Sequence, residues 1–257
     1  MSESGRVTRR DFIAYGATAT TGVIVGASSA TAATVLSSQS KEATVAEATV
    51  AFCGEHQAGV ETVQQSFGAF VGFTVLEGAD RASIARLLRV WTSDISLLMA
   101  GKPAMGDATP ELSTKPYRLT VTVGVAKRAF EIAGIEERFP EDIGTLPSYD
   151  IDQLEECWTG GDLILQICAD DRMSVAHAMR ELIKSAAPFA QVKWIQQGFV
   201  QHSATGETPR NLMGQMDGTD NPKPETTEFA ETVWNSGEKQ EWFENGTMLV
   251  LRRIRMN

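Results

Sequence analysis

One run near the end of the chain places a proton-exchanging group between turn-forming residues. Residues Arg210–Pro222 read RNLMGQMDGTDNP, so the carboxylate of Asp217 lies between Gly214 and Gly218. A positioned carboxylate can act as a general acid or base. The Asp-Gly pair is also among the commonest turn dipeptides. From that pair alone, an Asp that only caps backbone N–H groups is the favoured interpretation.

The segments before this run alternate between two hydrophobic periods. Apolar residues recur at helical spacing between Arg81 and Met99, and every second residue is apolar between Tyr117 and Val125. Along the chain these two patterns predict four strands and two helices in the order β-α-β-β-α-β. Their bounds are 70–76, 81–99, 117–125, 162–169, 175–186 and 191–200. That order predicts an α+β fold of the ferredoxin-like class, an antiparallel sheet with helices on one face.

The bulk composition is that of a globular protein with an acidic surface. Its 257 residues are 42% hydrophobic and carry a net charge of −10, with a pI of about 4.9. That charge argues against nucleic acid and anionic membranes as partners. Cys53, Cys157 and Cys168 have no metal-ligand spacing, and Cys168 lies in an apolar run typical of a buried free thiol. A disulfide between two of the cysteines is the alternative outside the cell.

The N-terminus has the three parts of a twin-arginine export signal in order. Thr8–Ile13 contains the paired arginines Arg9 and Arg10, Ala14–Ala27 is mildly hydrophobic, and Ala30–Ala32 offers an A-x-A cleavage site. We therefore expect folded export to the periplasm, the cell envelope or the medium. The alternatives are a disordered tail with a chance arginine pair and a permanent membrane anchor, for which the stretch is short.

The last part of the chain suggests an unfinished architecture. Gly246–Arg255 predicts one more alternating strand, which would begin a second unit, but a lone strand has no sheet of its own. These patterns divide the chain into four parts. They are a signal peptide (1–32), a linker (33–47), a ferredoxin-like domain (48–205), and a segment with the Asp217 motif and the start of a second, truncated ferredoxin-like domain (206–257).

Three ordered motifs resemble those of dye-decolorizing (DyP-type) haem peroxidases. Arg210–Pro222 is similar to the family's RNxxGxxDGTxNP segment, and Gly54–Gly59 (GEHQAG) is similar to its GxHQAG segment. Gly160–Asp170 resembles its GGDLxLQICAD strand. Together these motifs extend the resemblance over residues 48–257. With the export signal, the resemblance is to the twin-arginine-exported deferrochelatase/peroxidase branch of the family.

The resemblance implies a haem b site with Asp217 as its distal acid–base residue. Gly218, Thr219 and Asp220 would line the distal face with backbone groups. The substrates implied are hydrogen peroxide and a dye or other aromatic reductant, and the branch also implies release of iron from haem in iron uptake. The partners implied are iron-uptake components, the twin-arginine translocase during export and a second copy in a homo-oligomer. Three tryptophans are candidates for electron relay, although packing is the commoner role of such residues: Trp194, Trp234 and Trp242.

The resemblance also implies a proximal histidine in a second domain, and that position has no counterpart among these residues. For His56 we expect a packing or hydrogen-bonding role. His177 is expected on a helix but off its apolar stripe, and His202 in a polar loop. We therefore expect the chain to be truncated before the ligand region, and inactive as it stands. Arg210 and Asn211 are expected to fix the loop by hydrogen bonds.

Two other interpretations remain open from the sequence. One is a ferredoxin-like module that binds a partner or small ligand without redox chemistry, with its terminal strand added to another sheet. The other is a gene fragment without function. The presence of haem in the purified protein distinguishes the peroxidase from both.

Overall fold

In the computed structural model, residues 45–141, 143, 146–200 and 208–255 are described. The export signal, all but three residues of the linker, and His202 lie outside these residues. Within them, no helix combines the length and the apolar character that crossing a bilayer requires.

Four antiparallel strands form the sheet, in the spatial order β2-β3-β1-β4. The strands are β1 (Phe67–Val75), β2 (Thr120–Val125), β3 (Leu163–Ala169) and β4 (Ala190–Phe199). β1 pairs with β3 and β4, with a register shift between Gly72 and Phe73, and β3 pairs with β2. One long helix connects β1 to β2 and another connects β3 to β4. The predicted ferredoxin-like order is confirmed.

Residues 45–47 are helical, and four α-helices lie wholly within the described residues. They are α1 (Arg81–Met99), α2 (Lys127–Ile132), α3 (Arg172–Ala186) and α4 (Thr227–Val233). Short 3-10 helices cover Pro110–Ser113, Glu136–Arg138, Glu156–Trp158 and Glu241–Phe243. The two long helices begin at aspartate N-caps, because Asp80 accepts the N–H of Ser83 and Asp171 that of Ser174.

The core lies between the sheet and the two long helices. Alternate residues of β1 and β3 are fully buried, as the period of a strand with one covered face requires. Trp91 of α1 is completely buried, 5.2 Å from the ring of Phe73, and its Nε1 donates to Leu182 O of α3 at 3.1 Å. One indole thus contacts the sheet and both long helices.

The prediction of a strand over Gly246–Arg255 was wrong. Residues 246–255 are not assigned to a strand and pair with no described strand. The alternation of apolar residues there therefore does not mark one face of a sheet. Five apolar residues of this segment are exposed: Met248, Leu249, Val250, Leu251 and Ile254.

Candidate active site

The Asp217 loop is a compact turn closed by its own polar groups. Arg210 forms an isolated antiparallel bridge with Met216, and Asp217 N–H donates to Pro209 O at 2.9 Å. The Oδ1 of Asn211 accepts the N–H groups of Met213 and Gln215, at 3.0 and 3.1 Å.

The side chain of Arg210 also closes the turn. Its guanidinium donates to Gly214 O at 2.8 Å. The expectation that Arg210 and Asn211 fix the loop by hydrogen bonds is confirmed.

Both glycines that bracket Asp217 have a left-handed backbone. Gly214 has φ +80° and Gly218 has φ +94°, a region that strains other residues. A Cβ on Gly218 would also lie 3.1 Å from the amide nitrogen of Asn221. Glycine at position 218 therefore keeps the turn closed directly after the carboxylate.

The carboxylate itself is presented to solvent. Asp217, Gly218, Thr219 and Asp220 are all exposed. The Asp217 oxygens make no hydrogen bond or ion pair with any residue that the structure describes. A carboxylate held only through its backbone is available to exchange a proton with a bound molecule.

His56 is engaged in two contacts. Its ring stacks on Trp234 with centroids 3.6 Å apart and planes 4° apart, and its Nδ1 lies 3.1 Å from Glu61 Oε1. The predicted packing and hydrogen-bonding role is confirmed.

His177 lies on α3 as expected, off the stripe that contains Val175 and Leu182, but its burial to 3% exposure was not predicted. Its Nε2 lies 2.9 Å from Asp107 Oδ2 and 3.0 Å from Ser113 Oγ, and its Nδ1 lies 3.2 Å from the guanidinium of Arg180. Since a guanidinium only donates, Nδ1 accepts and Nε2 carries the proton. Asp107 and Arg180 therefore occupy both ring nitrogens.

Asp107, His177 and Glu181 also converge as a potential metal site, with one ligand atom of each within 4.8 Å of the others. This cluster was not predicted from the sequence, although the i, i+4 spacing of His177 and Glu181 places those two side chains on one face of the helix. Glu181 is already paired with Arg180 and Lys184, each at 3.2 Å. The cluster is thus a hydrogen-bonded ionic network that joins the loop before Ser113 to α3.

The described residues suit the distal, acid–base side of a haem site but supply no axial histidine. The exposed Asp217 between two left-handed glycines suits the acid–base side of such a site. As an axial ligand, His177 has both ring nitrogens bonded, and the ring of His56 is covered by Trp234 with the side chain only 13% exposed.

Residues 1–257 expressed alone should therefore bind haem weakly. Titration with haem, followed by the Soret band, should show no stoichiometric complex. A stoichiometric band that disappears in His56→Ala or His202→Ala would contradict this expectation.

The candidate relay tryptophans make packing and hydrogen-bond contacts. Trp194 donates to Gly160 O at 2.6 Å, and Trp242 packs 5.5 Å from Phe243. An electron-relay role for these tryptophans stays a prediction. All three cysteines are free, and burial raises the pKa of the Cys168 thiol to about 11.

Asp107 should make the stability of the fold depend on acid pH. Burial alone would raise its pKa, but hydrogen bonds from Thr109 N–H and the Ser113 hydroxyl, with nearby His177, lower the pKa below its ordinary value of 3.8. A lowered carboxyl pKa stabilises the fold above the unfolded pKa, and this is lost as pH falls through the folded pKa. The free energy of unfolding of Asp107→Asn should therefore approach that of wild type below about pH 4.

Urea unfolding at pH 7, 4 and 3 measures this convergence. Asp150→Asn is the matched control, because Asp150 is exposed. An Asp107→Asn difference that stays constant down to pH 3 would show that the carboxylate charge contributes nothing.

The structure is that of an α+β protein with an exposed carboxylate loop after its sheet. Comparison with known proteins gives its family. The sequence model of the N-terminal region of Dyp-type peroxidases matches residues 57–200, and that of the C-terminal region matches residues 208–257. The chain belongs to the DyP-type peroxidase family.

Relatives with assigned names and solved structures agree with this membership. Deferrochelatase of Escherichia coli (strain K12) is 34% identical over an alignment of 221 residues, and the match covers 79% of this chain and 52% of the relative. The DyP-type peroxidase of Cellulomonas bogoriensis is 41% identical with a TM-score of 0.74, over 78% of this chain and 56% of that one. An oxyferrous complex of DtpA from Streptomyces lividans is 36% identical with a TM-score of 0.73, over 79% and 56%. The chain spans about half the length of the curated relatives it matches.

Proposed function

We propose that this protein is a haem-dependent peroxidase that uses hydrogen peroxide to oxidise dyes or other aromatic donors, with Asp217 as its distal acid–base residue. The observation that carries the proposal is the exposed Asp217 carboxylate, held by backbone bonds between two glycines with positive φ. Membership of the DyP-type peroxidase family supports haem b as the cofactor.

Asp217 moves the proton that peroxide cleavage requires. One carboxylate oxygen accepts the proton of one peroxide oxygen, and the same carboxyl group then donates it to the other, so that water can leave. Backbone groups of Gly218, Thr219 and Asp220 line the space next to the carboxylate. The chemistry that haem supplies when bound is the redox change that accompanies O–O cleavage and the later return of electrons from the donor.

A finer proposal concerns iron and location. Because a relative 34% identical over 79% of the chain is named deferrochelatase, release of iron from haem is a candidate second activity, with iron-uptake components as partners. The arginine pair Arg9 and Arg10 supports export by the twin-arginine translocase to the periplasm or cell envelope. Homo-oligomerisation belongs to the same proposal.

The protein isolated from the envelope or medium of its source tests these proposals together. Its intact mass gives both ends of the chain, and loss of residues 1–32 is the expected result for an exported protein. A Soret band and peroxide-dependent oxidation of an aromatic dye are expected from the same preparation. A haem-free protein without this oxidation would favour the alternatives, a ferredoxin-like binding module or a fragment without function.

A further inference from the structure

Residues Glu55–Glu61, which we call the clasp, connect the sheet to the segment after Asp217. On the sheet side, the amide of Gln57 pairs with edge strand β2 as a backbone would. Its Nε2 donates to Val123 O and its Oε1 accepts Val123 N–H, both at 3.0 Å. Two further bonds run from the sheet to the clasp, Thr122 Oγ1 to Ala58 O at 2.7 Å and Gln166 Nε2 to Gly59 O at 2.8 Å.

On its other side, the clasp contacts the base of a closed loop. Asn235 N–H donates to Gly246 O at 2.8 Å, and Asn245 N–H donates to Asn235 O at 2.9 Å, which closes the loop between them. Asn245 also donates to Glu55 Oε1 at 3.2 Å.

The ring of His56 also stacks on Trp234, with centroids 3.6 Å apart and planes 4° apart. The His56 side chain is only 13% exposed, and Phe229 meets the same indole edge-on at 6.3 Å.

These contacts hold both ends of the segment that carries Asp217. Upstream, Val200 N–H donates to Ser66 O at 2.9 Å, just before β1. Downstream, the Asp217 loop continues into α4, and Trp234 directly follows that helix. Ser66 and His56 lie ten positions apart in the same N-terminal segment. The position of the Asp217 loop therefore depends on residues 56–66.

We propose that His56 is a positioning residue, which fixes the Asp217-bearing segment to the ferredoxin-like sheet through its stack on Trp234. This inference rests on the proposed function for its consequence in activity. Its structural content is independent of that function.

Hydrogen exchange of the complete protein tests the stack directly. In His56→Ala, backbone amides of residues 208–246 should exchange about 2- to 12-fold faster, the range expected when one aromatic pair is lost. Amides of β1 and β3 should keep their wild-type rates. His56→Phe keeps the stack but loses the bond to Glu61, so it should restore slow exchange.

Trp234→Leu removes the stack from the other side and should give the same local increase. Trp158→Leu is the matched control, since Trp158 contacts Arg253 and not the clasp. Unchanged exchange in both His56→Ala and Trp234→Leu would overturn the proposal. So would an equal increase throughout β1 and β3, or exchange in His56→Phe as fast as in His56→Ala.

Activity measurements separate this inference from the proposed function. With haem content normalised, His56→Ala should lower kcat/KM for peroxide, and His56→Phe should recover it. If Asp217→Asn leaves peroxidase activity intact, the proposed function fails and the exchange result is unaffected. If His56→Ala and Trp234→Leu both leave exchange at 208–246 unchanged while Asp217→Asn abolishes activity, the positioning role alone fails.

Discussion

Replacing Asp217 by Asn should lower kcat/KM for hydrogen peroxide by about 10²- to 10⁴-fold, the range that one general acid–base group contributes. Asparagine has nearly the shape of aspartate and retains the Asp217 N–H that donates to Pro209 O. It cannot accept a proton at neutral pH and return it. The loop should therefore keep its geometry while the proton transfer is lost. Steady-state oxidation of an aromatic dye by the haem-containing protein produced in its source, normalised to bound haem, measures the loss.

Two variants separate proton transfer from a general loss of negative charge. Asp217→Glu keeps the carboxyl group on a side chain one methylene longer and should recover part of the activity. Glu231→Gln removes one exposed charge from α4 and should stay within about threefold of wild type, because exposed charges are screened over about 10 Å. Equal losses in Asp217→Asn and Glu231→Gln would mean that Asp217 acts only through its charge. Full activity in Asp217→Asn would remove it from the mechanism.

The fold was predictable because its signals are local. α1 was predicted with its observed bounds, since an N-cap at Asp80 precedes its apolar stripe and Gly101, at φ +71°, follows its end. β2 was predicted three residues too early. Tyr117 and Arg118 have φ +49° and +56°, which no strand accommodates.

Bonds to distant residues hold that irregular backbone. Arg118 N–H donates to Ala48 O, and the Arg118 guanidinium pairs with Asp170, 52 residues later. Side-chain periodicity in one short window carries no information about either partner.

The candidate site also has a part defined by local sequence and a part defined by contacts between distant residues. The Asp217 loop is defined within thirteen residues, so its motif could be recognised and its internal hydrogen bonds expected. The contact of His56 with Trp234 spans 178 positions, and that of His177 with Asp107 spans 70. The burial of His177 was not predicted, because its partners Asp107 and Ser113 lie 70 and 64 positions away along the chain. Long-range polar pairs were thus the part of the site that the sequence left unpredicted.

Trp91→Ala should destabilise the protein by about 3–5 kcal/mol, the usual cost of truncating a buried large aromatic residue. Trp91 is fully buried and contacts Phe73 of β1, and its Nε1 donates to Leu182 O of α3. Alanine would leave a cavity where the sheet and both long helices meet, and these elements cannot collapse into it without losing their own contacts. Urea unfolding of the haem-free protein measures the change in the free energy of unfolding.

Trp91→Phe separates the volume of the side chain from its hydrogen bond. Phenylalanine keeps most of the apolar contact and loses the donor, so its cost should be about 1–2 kcal/mol, the value of one net hydrogen bond and a small void. Val90→Ala is the matched control on the same turn of α1, because Val90 is 36% exposed and should change stability by no more than about 0.5 kcal/mol. Trp91→Ala should cost most because it removes both the buried volume and the hydrogen bond, Trp91→Phe less because it removes mainly the bond, and Val90→Ala least because Val90 is exposed. If Trp91→Ala cost no more than Val90→Ala, the sheet and helices would not depend on this indole, and the core would have to be held together elsewhere.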